Sequence, residues 1–127
     1  MRLRDYTESD GPAVEQWVKA YDQSWQMTNL PENGFVAYDE WGDVAVGFLV
    51  KTDSRFAVLE GFVTNKAAPS EHRHEALEMI RRACEERAKA LGFTRILAYL
   101  QHDGLLKRAI DSGYRDVCRC AMIAKDL

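Results

Sequence analysis

Residues 67–96 read AAPSEHRHEALEMIRRACEERAKALGFTRI, and the fold is decided in this stretch. Leu77, Ile80, Cys84, Ala88 and Leu91 step by three, four, four and three residues, which aligns one apolar stripe along an α-helix. The spacing predicts a long helix over 71–91. On its opposite face Glu78 with Arg82, and Glu85 with Lys89, stand four apart, where opposite charges support an exposed helical surface. Gly92 supplies a C-terminal stop. Immediately after it, residues 95–100 read as a strand.

Upstream, three segments rich in β-branched and aromatic residues cover 35–38, 44–51 and 55–64. The turn-rich Asp39-Glu40-Trp41-Gly42-Asp43 joins the first two, and Thr52-Asp53-Ser54 joins the second to the third. Short polar turns between such segments predict an antiparallel meander. Leu3 and Tyr6 belong to a short first strand. Ser9, Asp10 and Pro12 then mark a helix start, and Val14, Trp17, Val18 and Tyr21 follow at helical spacing. Residues 22–33 read as a second short helix ending near Pro31. Downstream, Asp103 caps a shorter helix carrying Leu105, Leu106, Ala109 and Ile110, ended by Gly113, and a last strand holds Tyr114, Val117 and Met122. The order β-α-(α)-β-β-β-α-β-α-β predicts one α/β (α+β) domain over residues 1–127, with a mixed, mostly antiparallel sheet and helices on both faces.

A chain of 127 residues has room for one core. Its 46% hydrophobic and 29% charged residues are those of a globular protein, and a net charge of −3 argues against a nucleic-acid-binding face. No apolar run reaches the length of a membrane span, and MRLRDYTESD lacks the apolar stretch of a secretion signal. A cytoplasmic protein without nucleic-acid or membrane partners is therefore expected. Cys84, Cys118 and Cys120 are an odd set that is not spaced as a disulfide framework.

The element order, together with 67–96, resembles the GNAT superfamily of acetyl-CoA-dependent N-acetyltransferases over nearly the whole chain. In that family the fourth strand ends in a hydrophobic-x-Pro step. An Arg or Gln follows, then a glycine-rich turn and a long helix closing in Leu-Gly. Here Ala67 and Pro69 fill the step, His72 falls at the Arg or Gln position, and Leu91-Gly92-Phe93 closes the helix. The later GLLKRAIDSGYRDV resembles the family's last helix with its Gly-aromatic pair, Gly113-Tyr114. The resemblance implies acetyl-CoA as cofactor, with Ala67, His72, Arg73, His74, Glu75, Ala76 and Leu77 as its binding residues. Free amides and the dipole of a helix N-terminus favour an anion such as a pyrophosphate. The sequence departs from the family where Arg73, Glu75 and Leu77 stand in place of three glycines, and Glu71 and Glu75 add negative charge. His72, Arg73, His74 and Lys66 offset part of that charge, so weak cofactor binding, or none, is expected.

Acetyl transfer to an amine requires a base for the ammonium proton, an acid for the leaving thiolate and donors for the developing oxyanion. The resemblance places a carboxylate base on the fourth strand, where Glu60 lies between Leu59 and Gly61. Strand alternation alone would instead point Glu60 to solvent. The family's tyrosine acid position carries Ala109 here. Cys118 or Cys120 as an acyl-carrying nucleophile competes with a role as buried filler. His72 and His74 with Cys118 and Cys120 offer zinc-type ligands, but the histidines stand two apart at a helix start, where side chains diverge, so no metal is expected.

Trp25, Trp41 and Tyr38 fall in regions that border the acceptor groove in GNAT proteins. Trp41, in a hairpin turn, is the better candidate for a contact surface, and core packing suits Tyr38. The sequence thus reads as an N-acetyltransferase for a small-molecule amine or a peptide. The alternative is a GNAT-fold binding or structural module without catalysis. A third option is a homodimer in which the C-terminal strand pairs with a second copy.

Overall fold

A computed structural model of the chain describes residues 1–23, 30–100, 103–121 and 123–127. The segments rich in Val, Phe and Ala pair as the sequence pattern requires. β1 (Arg2–Asp5), β2 (Asn33–Asp39), β3 (Gly42–Val50) and β4 (Phe56–Thr64) form an antiparallel meander. β5 (Arg95–Ala98) adds parallel to β4, giving the order β1-β2-β3-β4-β5. A parallel pair needs a crossover, which α2 (Ser70–Ala90) provides.

Because side chains alternate along a strand, the sheet has two apolar faces, and each takes a helix. A single 3-10 turn, Glu8–Asp10, leads into α1 (Gly11–Ala20). Val14, Trp17 and Val18 of α1 bury against Val36, Val46, Phe48 and Val63. On the other face Ala76, Ile80, Cys84 and Ala88 of α2 bury against Phe35, Ala37, Ala45, Leu49 and Ala57. Complete burial of one Ile such as Ile80 stabilises by about 1.5–3 kcal/mol. The predicted mixed, mostly antiparallel sheet with helices on both faces is the observed one.

β4 is irregular in a way that bears on the site. Its register with β3 moves from Val46↔Val63 to Phe48↔Glu60, so one residue of β3, Gly47, faces two of β4, Gly61 and Phe62. Gly61 absorbs this bulge at φ +62°, a conformation that costs glycine little.

Four details differ from the expectation. Ala76 heads the buried stripe of α2 rather than Leu77, which is half-buried, and Leu91 lies beyond the helix at 48% exposure. Arg81, not Lys89, pairs with Glu85, and Arg81 also reaches Glu78, while the expected Glu78–Arg82 pair forms at 2.9 Å. β5 stops at Ala98, and α3 (Asp103–Asp111) buries no residue. The last strand is not formed among the described residues 114–121. Val117 is its only β-branched residue there, and Arg119 pairs locally with Asp116 at 2.6 Å, which leaves no apolar face for a strand to bury. The short helix expected over 22–33 falls mainly on residues 24–29, outside the described residues, as does Trp25.

Candidate functional site

The start of α2 is built by Asn65. Its amide donates to Val44 O at 2.7 Å, its carbonyl accepts from the Ala68 amide at 3.0 Å, and its Oδ1 accepts from the Ala67 amide at 3.1 Å. Ala68 is thereby turned into the core at 3% exposure, and Pro69 begins the helix at φ −55°, ψ 143°. The first helical bond runs from the Arg73 amide to Pro69 O at 3.0 Å. No side chain caps this end, so the amides of Ser70, Glu71 and His72 have no acceptor among the described residues. Three such donors stand at the positive end of a 21-residue helix, an arrangement that favours negative charge nearby.

The side chains around it are partly committed. Arg73 Nη1 donates to Tyr21 Oη at 3.3 Å, and Tyr21 Oη lies 2.6 Å from Thr64 Oγ1, which joins α1, β4 and α2. Arg73 Nε is buried without a partner among the described residues. Lys66 sits over the Tyr21 ring at 5.3 Å and reaches Ala20 O at 3.4 Å. His74 Nδ1 lies 2.9 Å from Arg108 Nη2 of α3. Ala67, Glu71 and Glu75 are exposed, whereas Ala76 is fully buried and Leu77 packs on the core, with their amides inside the helix, so those last two offer a ligand no contact. His72 faces the carboxylate of Asp39, an aspartate at the end of β2 that reads in the sequence as nothing more than a turn former. Residues 67–77 are therefore together, but their cations point into the protein's own network rather than into open space.

Glu60 lies elsewhere. It is exposed and sits opposite Phe48, which places it on the α1 face of the sheet, while its neighbours Leu59 and Phe62 pack toward α2. It borders Gly61 in the bulge and stands roughly 13 Å along β4 from Thr64. Ala109 in α3 brings no hydroxyl. Tyr114 donates to Glu85 Oε1 at 2.7 Å, and burial, with that hydrogen bond, pushes its phenol well above the usual range. Trp41 is 43% exposed in the β2–β3 turn, and Tyr38 is half-buried in β2. Cys118 and Cys120 are exposed, and no metal-ligand cluster occurs among the described residues. A groove of about 780 Å³ runs between the C-terminal half of α2, β5 and α3, lined by Ala88, Phe93, Ile96 and Leu106, at the opposite end of α2 from its free amides.

No protein-family model matches the sequence, and no curated protein is similar to it. Solved structures are similar in fold. An acetyltransferase of the GNAT family from Staphylococcus aureus shares 10% identity at a TM-score of 0.76, covering 93% of this chain and 86% of that one. A Mycobacterium tuberculosis protein in complex with CoA shares 18% at 0.75, covering 98% and 77%. A transcriptional regulator from Bacillus halodurans shares 16% at 0.73, covering 98% and 99%.

Proposed function

From the GNAT acyltransferase fold of this chain, we propose that it is an N-acetyltransferase that takes its acetyl group from acetyl-CoA and passes it to an amine of a small molecule or peptide. The observation that carries this reading is the uncapped start of α2, directly after β4, with three amides free to hold a diphosphate. The residues fit such a group. Arg73 has a buried Nε without a partner, and Arg73 and Lys66 are cations beside the exposed carboxylates of Glu71 and Glu75. When bound, acetyl-CoA supplies a thioester-activated acyl group. The chain's own part is to take the ammonium proton at the exposed Glu60 carboxylate, which borders the bulge at Gly61. Trp41 supports acceptor binding as an exposed aromatic. The absence of a tyrosine at Ala109 leaves protonation of the leaving thiolate to solvent. A cytoplasmic location belongs to the same proposal; no described helix is long and apolar enough to cross a membrane.

A second reading, a binding module without catalysis, is favoured by Arg73 and Glu75, which stand where the family resemblance expects glycines, Arg73 donating to Tyr21 and Glu75 exposing a negative charge.

Calorimetric titration with acetyl-CoA and with CoA separates the two, with Arg73→Glu as control. Micromolar binding that weakens at least about tenfold in the variant supports the enzyme reading. An acceptor screen with Glu60→Gln then tests the base. No heat and no thermal shift at millimolar acetyl-CoA would refute cofactor binding.

A further inference from the structure

The groove at the C-terminal end of α2 lies apart from the site above. Its floor is apolar, made by Ala88 of α2, Phe93, Ile96 of β5 and Leu106 of α3. α3 carries Leu105, Leu106, Ala109 and Ile110 on one helical face, yet it buries none of its residues, and Ile110 is 47% exposed. Apolar surface gathered in this way and left in water marks a place for a ligand or partner. The chain's own end does not take that place. Residues 115–120 form one wall of the groove, and Ile123 and Leu127 beyond them are exposed.

The polar lining decides what fits. Glu85 accepts from Tyr114 at 2.7 Å and also pairs with Arg81, and Asp116 holds Arg119 at 2.6 Å. These wall groups are satisfied and ask nothing of a ligand. Lys89, Arg95 and Arg115 line the groove too, all exposed, and none of them forms an ion pair among the described residues. Against them stands one unpaired carboxylate of the lining, Asp103, at the positive end of α3. Three unpaired cations around an apolar floor complement a chain with an anionic head, and the planar fork of arginine matches a carboxylate. The volume of about 780 Å³ is that of a small-molecule site.

We propose that this groove binds a long-chain fatty carboxylate, its alkyl chain on Phe93, Ile96 and Leu106 and its head among Lys89, Arg95 and Arg115. The site lies at the opposite end of α2 from the free amides, so it stands whether or not the chain binds CoA. Cys118 and Cys120 line the same groove with free thiols, which a bound chain covers.

Those thiols report on the site. Octanoate, decanoate and dodecanoate, each below its micellar concentration, are titrated by calorimetry, and the rate at which iodoacetamide modifies Cys118 and Cys120 is followed. Each pair of added methylenes is expected to tighten binding at least about threefold. Saturating dodecanoate slows both thiols at least about fivefold, because it removes access. Decanol, which lacks the charge, binds about fivefold more weakly than decanoate. Arg115→Glu, on an exposed segment outside the core, shrinks that difference, whereas Leu106→Asp weakens both ligands. Arg73→Glu, at the other end of the helix, changes neither, which keeps failure of the cofactor site distinct from failure of the groove. Affinity independent of chain length, decanol binding as tightly as decanoate, or thiols equally fast with and without dodecanoate overturns the proposal. Thiols already slow without ligand, and slower as protein concentration rises, also overturn it, because a second copy then occupies the groove.

Discussion

Replacing Gly47 by alanine probes the contact that seats α2 on the sheet. Gly47 lies in β3 opposite the bulge of β4, buried beneath the helix. A Cβ there would stand 2.7 Å from Ile80 Cγ2 and 2.7 Å from Phe62 Cε1. Both approaches are far inside van der Waals contact, so something must move. Ile80 is wholly buried and β-branched, with little freedom to turn away. Phe62 is partly buried and packs on the same cluster. Overpacking of this kind costs about 1–3 kcal/mol. The lower backbone entropy of alanine in the unfolded chain offsets about 0.4–1 kcal/mol. A net loss of about 1–2 kcal/mol remains, a fall in Tm of about 5 °C for a chain of this size. Thermal unfolding of Gly47→Ala, Phe62→Leu and the double variant checks it. The leucine removes the ring edge that the new methyl meets, so the double variant should lose at least about 0.5 kcal/mol less than the sum of the singles. A Gly47→Ala protein as stable as the wild type, or strict additivity, would refute the close approach.

Two further outcomes follow from titratable groups. Arg4 donates to both oxygens of Asp10 at 2.8 Å, and these bonds, with the Thr7 amide, hold that carboxyl below its usual range against the opposing effect of burial. The folded value is depressed, so the contribution is present above the ordinary carboxylate range and disappears as pH falls through the folded value. Arg4→Met should lower stability near neutral pH by about 1 kcal/mol and flatten the acid limb of a urea-midpoint profile; parallel profiles would contradict this. Burial pushes the Cys84 thiol up to about 12, whereas Cys118 and Cys120 are exposed. A thiol reagent near pH 8 should therefore modify two cysteines quickly and the third only on unfolding, and three fast equivalents would rule out the buried assignment.

How far the sequence is legible depends on the range of the interaction being read. α2 is legible because its signals are local: an apolar period, Pro69 before it and Gly92 after it. The head of its stripe is misread for a physical reason. Hydrophobicity favours Leu77, but the helix lies against a sheet face of Ala37, Ala45, Gly47 and Ala57, where Ala76, Cys84 and Ala88 bury completely and Ile80 fits over the Gly47 backbone. The bulge in β4 has a local sign in Gly61, a glycine inside a strand pattern. The last strand is over-read from one β-branched residue among charges. In the site, the free amides follow from Pro69 and the helix. Asp39 does not, because an aspartate in a turn is sufficiently explained by its bond to the Trp41 amide. Its second oxygen meets a histidine from the far side of two strands, a contact no local pattern encodes.

The same distinction of range bears on what the missing glycines cost. Arg73, Glu75 and Leu77 all come after the three free amides, which belong to Ser70, Glu71 and His72. The donors are therefore retained, since they follow from a helix that starts at Pro69 without a capping side chain. What side chains at 73, 75 and 77 remove is room for a ligand's phosphates to come close to the helix backbone. Leu77 turns into the core and costs little of that room, whereas Arg73 spends its guanidinium on Tyr21 and Glu75 projects negative charge outward. The penalty should thus be mainly electrostatic, and it should respond to charge at 75 more than to size at 77. Calorimetry on Glu75→Gln against Leu77→Gly reads that difference directly, because a purely steric penalty would give the reverse order.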